Sequence, residues 1–442
     1  MDASRNLAVE ERLAALLSQL GIERVHIAGG FAPNAVALAK TSPNTVASAT
    51  LICPMQMPPE PFMPPGAPLL VVYGSGAVTL PGLVSGLPDA SSLQLSDYEG
   101  APWSNVLAER GDEIAPTMLE FLSRAEQLRP IEPARLVDGD GEIAGITYRI
   151  RGSGPPVLLL PLNLARSQWE PLVPVLAQHH TTIVVGGAHM GVVPLLEGRM
   201  QGRYREVLRA VVDRAHPRNE DAVLEVGCGP GAVARWLAGY LSLDKPLTAV
   251  DVNNYLLREA ASLARAEGLG RGIIFQEGDA EGLPFASESF DVTLSFTVME
   301  EVDADRMLAE MMRVTRRGGR IGVVVRAVDL PRFLNVSLPP DLEARVLAMS
   351  APRMGVAGRG CADTTLYRRF VNAGLVDLEM GPQLAPEAAE RSVRQLPEYA
   401  DRIAQALPAM DARQFREAIA NAVRDNTLIF AQPYHCAVGR KP

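Results

Sequence analysis

The chain has 442 residues, 47% of them hydrophobic and 21% charged, which is the composition of a globular protein with apolar material for two or three domains. Its formal net charge of -9 argues against a general nucleic-acid binder, because polyanion binding needs a basic face, and favours a small-molecule partner. The four cysteines are far apart and form no CxxC pair, so neither a metal site nor a disulfide framework is expected.

The first predicted element is an amphipathic helix over residues 7–20, which ends at Gly21. This charged pattern lacks the apolar core of a signal peptide, and no apolar run approaches the ~18 residues of a membrane span. We therefore expect a cytoplasmic protein.

Short apolar runs of strand character alternate with helical patterns through the first half of the chain. The strands are predicted at 24–28, 46–53, 69–73, 93–95, 145–151, 157–160 and 181–185, and the helices at 35–40, 109–122 and 169–178. A charged, irregular segment at 126–140 is predicted to be a linker. Alternation of this kind predicts parallel α/β sheets.

The same alternation restarts at Gln201 and continues to the end of the sequence. Strands are predicted there at 223–226, 247–250, 273–276, 292–296, 320–325, 376–380 and 427–438. The proline-rich segment 331–362 is predicted to be irregular, either an active-site cover or a surface insertion. Two domains follow from this pattern, namely 1–190 (in two parts, 1–125 and 141–190) and 191–442.

The sequence VLEVGCGPG at 223–231 joins an apolar strand to a glycine-rich turn, and a helical pattern follows. Gly227, Gly229 and Gly231 permit a tight turn and let a ligand approach the backbone without meeting a Cβ atom. Glu225 lies at the end of the strand, where a carboxylate can meet a cationic group. A single GxGxG turn is weak evidence for a nucleotide-type cofactor, so the residues that follow it decide the assignment.

Acidic residues follow the glycine turn at the ends of the next two strands. Asp251 comes 22 residues after Gly229, the spacing at which a carboxylate can bond a pair of ribose hydroxyls. Asp279 is predicted to end the third strand, where it can accept from an adenine amino group. The fourth strand is predicted to form the floor of the pocket at Ser295–Thr297. Because the carboxyl ends of parallel strands form the ligand edge of an open α/β sheet, these residues predict one site.

Residues 201–330 resemble the class I S-adenosylmethionine (SAM)-dependent methyltransferases, particularly the branch related to the ubiquinone/menaquinone C-methylases. The resemblance implies a Rossmann-like, seven-stranded methyltransferase domain, with the strand at 427–438 inserted antiparallel beside the strand at 376–380. It also implies SAM as the cofactor. Our first hypothesis for the function is methyl transfer from SAM to a small apolar or aromatic molecule.

The same resemblance assigns roles to the residues of the predicted site. It places the glycine turn around the methionine part of SAM, with Glu225 near the amino group, Asp251 on the ribose, and Asp279 with Ala280 around the adenine. The residues expected to bind the cofactor are Glu225, Gly227, Cys228, Gly229, Gly231, Asp251, Val252, Asp279, Ala280 and Ser295.

The segment after the fourth strand departs from this branch, which often carries a Glu-His pair there. Glu301 stands where histidine is usual, so a general base at this position is a carboxylate. A base is needed only if the acceptor loses a proton before or during methyl transfer. The candidate catalytic residues are Glu301, Glu300 and His435, and Tyr204, ahead of the first strand, is a candidate pocket residue.

Two other functions stay open from the sequence. A non-catalytic SAM-binding scaffold protein would keep the cofactor pocket without methyl transfer. A nicotinamide dehydrogenase requires GxGxxG, whereas 227–231 reads GxGxG followed by Ala232 and Val233, and no hydride-transfer constellation is recognisable.

The first half of the chain resembles a second family in reversed order. Residues 22–125 resemble the second half of an α/β-hydrolase, with RVHIAGGFAPNAVALA at 24–39 in the place of its nucleophile strand, elbow and helix. Residues 145–190 resemble the first half of the same fold. The resemblance implies a circularly permuted, α/β-hydrolase-like N-terminal domain over 1–190, which makes the whole chain α/β.

This hydrolase-like region lacks the residues that hydrolysis requires. Phe31 occupies the nucleophile position, the acid falls near Gly76, the histidine falls near Ala101–Trp103, and the oxyanion-side His-Gly reads Pro161-Leu162. Because the whole triad is missing, hydrolase activity is not expected. The domain is expected to serve structure, dimerisation (as a possible homodimer) or substrate cover.

Overall fold

The structure is a computed structural model of the 442-residue chain. It describes residues 7–30, 32–54, 63–64, 66–75, 80–87, 89–98, 105–349, 356–387, 396 and 399–442. The chain forms two compact units, Met1–Leu195 and Leu196–Pro442, whereas the predicted division was at residue 190.

One eight-stranded sheet runs through the first unit. Its strands are β1 (Val25–Gly29), β2 (Val46–Ile52), β3 (Leu69–Gly74), β4 (Ala90–Leu95), β5 (Gly139–Ile143), β6 (Ile146–Arg151), β7 (Pro156–Leu159) and β8 (Thr181–Gly186). Their order across the sheet is β4-β3-β2-β1-β7-β8-β6-β5. Strand β6 is antiparallel to β5 and β8, and the other neighbouring pairs are parallel. Because β1 pairs with β7, the segments on both sides of the predicted linker share one sheet.

Apolar side chains bury both faces of this first sheet. Every residue of β1, β2, β3, β7 and β8 is buried, as expected for parallel strands covered on both sides. The helices are α1 (Val9–Gln19), α2 (Ala32–Thr41), α3 (Leu80–Ser85), α4 (Val106–Leu128) and α5 (Val173–Leu176).

The predicted linker at 126–140 is wrong at both ends. Helix α4 continues to Leu128 because Ala125 still lies on its buried face, and β5 already begins at Gly139. The segment between these elements is therefore 129–138. Charge alone does not distinguish an irregular segment from a helix, because the solvent side of a helix also presents a charged face.

A second eight-stranded sheet runs through the second unit. Its strands are β9 (Val223–Val226), β10 (Leu247–Asp251), β11 (Ile273–Glu277), β12 (Phe290–Phe296), β13 (Thr315–Arg326), β14 (Phe333–Leu334), β15 (Val376–Glu387) and β16 (Phe430–Arg440). The order is β11-β10-β9-β12-β13-β16-β14, and β15 also pairs with β16. Strand β16 is antiparallel to both β13 and β15, so the sheet is mixed, and the antiparallel pairing of the last strand with the strand at 376–387 agrees with the expectation from the sequence. The sheet has one strand more than the seven predicted: β14, which has two residues and is too short to be recognised in the sequence.

The helices of the second unit cover both faces of its sheet. They are α6 (Val193–Gln201, which begins in the first unit), α7 (Tyr204–Ala215), α8 (Ala232–Tyr240), α9 (Asn254–Ala266), α10 (Ala304–Val314), α11 (Pro340–Met349), α12 (Thr365–Asn372) and α13 (Ala409–Arg424). The segment 331–362 is not wholly irregular, because it contains β14 and α11. Apolar residues of α11 and α13, among them Leu342 and Phe415, share a small separate core with Phe430.

Strands β9, β10, β12 and β13 are parallel and end at one edge of the second sheet. The predicted cofactor residues lie near or just beyond the carboxyl ends of these strands and of the neighbouring parallel strand β11, so the topology alone brings them to the same edge. In the part of the chain that the structure describes, no helix combines the length and the apolar character needed to cross a bilayer.

Candidate functional site

The glycine turn between β9 and α8 is held in a conformation that side chains would obstruct. Gly227 has φ 79° and Gly231 has φ 75°, both in the left-handed region. A Cβ atom on Gly227 would lie 2.2 Å from Val298 Cγ2, and one on Gly231 would lie 2.9 Å from Ala260 Cβ. The backbone N–H groups of Gly227 and Cys228 both donate to Val250 O, at 2.8 and 2.9 Å. These contacts fix the turn against β10 and aim the start of α8 at the ligand edge.

Glu225 presents a buried carboxyl group beside this turn. Its side chain is 2% exposed, and its Oε2 atom has no hydrogen-bond partner among the described residues. Burial raises the pKa of Glu225 from 4.5 to about 8; the Asp251 charge adds to this rise, and Arg235 opposes it. A buried carboxyl without a partner is destabilising, and a cationic group bound at the turn would relieve that. The methionine ammonium of SAM has the required charge.

Asp251 ends β10 and holds the turn with both of its oxygens. Oδ2 accepts from Gly229 N at 2.8 Å, and Oδ1 accepts from Asn253 N at 2.8 Å. Burial raises the pKa of Asp251, although these two backbone hydrogen bonds oppose the rise. Each carboxylate oxygen keeps a further lone pair, so the half-buried group can still accept from a pair of ribose hydroxyls. The neighbouring Val252 is 69% exposed, and its apolar side chain borders the same edge.

The remaining predicted cofactor residues differ in how they face this edge. Asp279 is exposed, lies two residues beyond the end of β11, and accepts from Glu281 N at 2.8 Å. Ala280 is buried beside it. Ser295 is also buried, but its hydroxyl donates to Val226 O at 2.9 Å. The Ser295 hydroxyl thus ties β12 to β9 instead of pointing to a ligand.

Arg235 is a site residue that the sequence reasoning missed. Its buried guanidinium donates to Pro230 O at 3.0 Å and to Glu267 Oε1 at 2.9 Å, and it also binds Glu197 of α6. One side chain therefore joins the glycine turn, the end of α9 and α6. Leu196 of α6 lies over the turn, with Cδ1 3.6 Å from the position of a Cβ on Gly229. No local pattern could have indicated a contact between residues 38 positions apart.

The carboxylates after β12 have different environments. Glu300 is fully buried, and its Oε1 accepts from Arg326 N at 2.8 Å. Burial raises the pKa of Glu300, against the opposing effect of Arg326. Glu301 is exposed, with its Oε1 3.7 Å from Arg326 Nη2. Of the two, Glu301 alone is open to solvent.

His435 is buried between two hydrogen-bond partners. Its Nε2 lies 2.7 Å from Asp329 Oδ1, and its Nδ1 lies 2.8 Å from Tyr367 Oη. Because a carboxylate can only accept, Nε2 is the donor in the contact with Asp329. Burial raises the pKa of Tyr367 to about 12. His435 is 1% exposed with both nitrogens engaged, so it joins β16 to α12 instead of facing an acceptor.

An aromatic pair lies near the end of β12. The rings of Tyr204 and Tyr434 pack with their centroids 4.9 Å apart, and both side chains are buried. Thr297, the first residue after β12, lies beside Tyr204, and burial raises the pKa of the Tyr204 hydroxyl. These rings form an apolar wall next to the predicted pocket floor.

Comparison with known proteins gives matches in this unit. Residues 224–323 match the family described as a methyltransferase domain. The ubiquinone/menaquinone biosynthesis C-methyltransferase UbiE of Rhizobium etli is 33% identical over 134 residues, which are 29% of this chain and 52% of that protein. The methyltransferase GfsG of Streptomyces halstedii is 37% identical over 102 residues, 23% of this chain and 36% of that protein. The chain spans about half the length of the first of these relatives.

A solved structure, that of the YcgJ protein from Bacillus subtilis, matches 54% of this chain and 98% of its own, with 20% identity and a TM-score of 0.36. Glu225, the glycine turn and Asp251 all lie inside the residues that match the methyltransferase family. The part of the second unit that is similar to the methyltransferase family therefore includes the glycine turn and both of these carboxylates.

Proposed function

We propose that the protein transfers the methyl group of SAM to a small molecule with an apolar or aromatic body. The observation that carries this proposal is the buried Glu225 carboxyl, whose Oε2 has no hydrogen-bond partner among the described residues, beside a glycine turn clamped by Asp251. When bound, SAM supplies an electrophilic methyl group on a sulfonium centre. Glu225 binds the ammonium of the methionine part, and Asp251 accepts from the ribose. Leu196 and Val298 exclude water above the turn.

Positioning and desolvation provide most of the rate enhancement in this proposal. A proton acceptor is required only for an acceptor that ionises. Glu301 is retained for that role because its carboxylate is exposed near the end of β12. Glu300 and His435 are better suited to positioning, since both are buried and held by neighbours.

Methyl transfer is tested by incubating the full chain with methyl-labelled SAM and a broad metabolite extract, and following label in small molecules by mass spectrometry. The proposal expects a labelled product whose amount, at a SAM concentration below saturation, falls strongly with Glu225→Gln. SAM binding without any labelled product would favour the non-catalytic scaffold. Binding of NAD in place of SAM would favour a dehydrogenase.

The first unit is proposed to be a permuted, catalytically inactive α/β-hydrolase-like domain. If the end of β8 were joined to the start of β1, the strands would follow one another along the chain from β5 to β8 and then from β1 to β4. In the sheet, the β5–β6 hairpin lies at one edge and β1 lies in the middle. The turn after β1 is also tight, because a Cβ on Gly30 would lie 2.2 Å from Leu162 O. Phe31, Gly76 and Ala101–Trp103, which carry the argument for lost chemistry, lie outside the described residues.

The first unit is proposed to serve as a structural support, as a dimerisation surface or as a cover for the substrate. A cytoplasmic location of the protein likewise stays a prediction. An activated ester such as p-nitrophenyl acetate tests its inactivity. No turnover above a Phe31→Ala variant is expected. Turnover that the variant abolishes would contradict the proposal.

A further inference from the structure

A cationic, aromatic cluster lies beyond the end of β13. Arg332 donates from Nε to Gln432 Oε1 at 2.8 Å. Its guanidinium carbon lies 5.5 Å from the ring centroid of Tyr399 and 5.8 Å from that of Phe430. The guanidinium carbon of Arg402 lies 5.7 Å from the same Tyr399 ring. Two arginines therefore flank one aromatic ring, and we call Arg332, Arg402, Tyr399, Phe430 and Gln432 the arginine cluster.

The positive charge of this cluster is not neutralised within the described residues. Arg332 forms no ion pair with any carboxylate described, and its one polar contact is a neutral amide. Burial lowers the pKa of Arg332, and the nearby charge of Arg402 lowers it further. Such an arrangement is unfavourable in a protein of net charge -9, where carboxylates are plentiful. Arginine, planar and always charged, is also the side chain that binds carboxylate or phosphate through two parallel hydrogen bonds.

The arginine cluster lies next to the apolar wall of the candidate site. Gln432 precedes Tyr434 by two residues on β16, and Tyr434 packs on Tyr204, which lies beside Thr297 at the end of β12. Arg332 follows the end of the parallel strand β13. Both routes place the cluster at the same edge of the sheet as the cofactor residues. The rings of the cluster and of the wall suit an apolar body, and the guanidinium suits an anionic group attached to it.

We propose that Arg332, assisted by Arg402, binds an anionic group of the methyl acceptor, so that the acceptor is a small molecule carrying a carboxylate or a phosphate on an apolar or aromatic body. This inference rests on the proposed methyltransferase function and defines its substrate class. A guanidinium that only packed on aromatic rings would not distinguish anionic from neutral ligands.

The test uses the full chain loaded with S-adenosylhomocysteine (SAH) and three related probes: benzoate, phenyl phosphate and the neutral benzyl alcohol. Calorimetry or ligand-observed NMR should show binding of at least one anion and weaker binding of the alcohol. The stronger anion identifies the source as carboxylate or phosphate. Arg332→Gln should weaken that binding roughly tenfold or more while leaving SAH affinity unchanged, and Arg332→Lys should restore part of it. Arg317→Gln, an exposed arginine that pairs with Glu288, is the matched control and should change neither.

Three results would overturn the inference: no anion binds the SAH-loaded protein, the alcohol binds as well as the anions, or Arg332→Gln leaves anion binding unchanged. If Arg332→Gln does not fold, Arg402→Gln decides the question, because this side chain is exposed. It should weaken anion binding several-fold, and unchanged binding contradicts the inference. Failure of SAH itself to bind would instead refute the proposed function, and with it the acceptor assignment.

Discussion

Replacing Glu225 by glutamine separates the contribution of this residue to folding from its contribution to binding. Glutamine keeps the shape of the side chain but cannot carry a charge. In the ligand-free protein burial raises the pKa of Glu225 from 4.5 to about 8, so at pH 7 the folded protein holds a proton that the unfolded chain has released. The pH lies about 2.5 units above the unfolded pKa, and at 1.36 kcal/mol per unit this proton uptake opposes folding by about 3 kcal/mol.

The sign of this effect fixes its pH dependence. The folded pKa is raised, so the destabilisation is absent below pH 4.5, grows as pH rises, and is complete above about pH 8. Without ligand, Glu225→Gln should therefore be more stable than the native protein at pH 7, by up to about 3 kcal/mol, with the difference vanishing in acid. SAM affinity should fall by roughly 10- to 100-fold, because a charge-assisted hydrogen bond to the ammonium is lost.

The assay is urea unfolding of both proteins from about pH 5 to pH 9, together with calorimetric titration of SAH at about pH 8. Glu343→Gln, an exposed carboxylate on α11, is the matched control and should change neither quantity. Higher stability with weaker binding identifies a residue kept for its ligand. A variant that is less stable at every pH and binds SAH normally would refute the reasoning.

Three further changes test other parts of the site. Asp251→Ala should weaken SAH binding by more than about tenfold in calorimetry, because both the ribose acceptors and the clamp on the turn are removed; unchanged affinity would contradict the pocket. Arg235→Met keeps the buried aliphatic volume but frees Glu197 and α6, so SAH dissociation should accelerate in stopped-flow measurements, and an unaltered rate would show that α6 needs no such tie. Partial burial raises the pKa of Asp329, but the hydrogen bond with His435 outweighs burial, so the pKa of the folded protein lies below the usual 3.8. The hydrogen bond therefore stabilises the fold above pH 3.8, and this stabilisation is lost as the pH falls below that value. The stability difference between the native protein and Asp329→Asn, measured by urea unfolding, should accordingly shrink in acid; a difference independent of pH would argue against a stabilising hydrogen bond between Asp329 and His435.

The cofactor half of the site was predictable because its signals are local. A strand, a glycine turn and a helix follow one another within a few residues, and Glu225 is part of that run. The position of Asp251 could be predicted because neighbouring parallel strands end at the same edge of the sheet. A residue at the end of the next strand therefore lies close to the glycine turn. The antiparallel pairing of β16 with β15 was implied by the family resemblance and not by any local pattern.

The rest depends on contacts between distant segments that carry no local pattern. The Arg235–Glu197 pair spans 38 residues, and Arg332 meets Gln432 across 100 residues. Ser295 was expected to face the ligand, yet which way its hydroxyl turns is decided by the carbonyl of Val226 on the neighbouring strand. The linker at 126–140 failed for the related reason that a charged helix face and an irregular segment look alike before the partner surface is known.

A crystal structure of the full chain with SAH tests the central claim most directly. The account predicts that the amino group of SAH lies within hydrogen-bond distance of Glu225 Oε2, with the ribose hydroxyls on Asp251 and the adenine near Val252 and Ala280. SAH bound elsewhere, or bound at this edge with Glu225 Oε2 still without a partner, would contradict it.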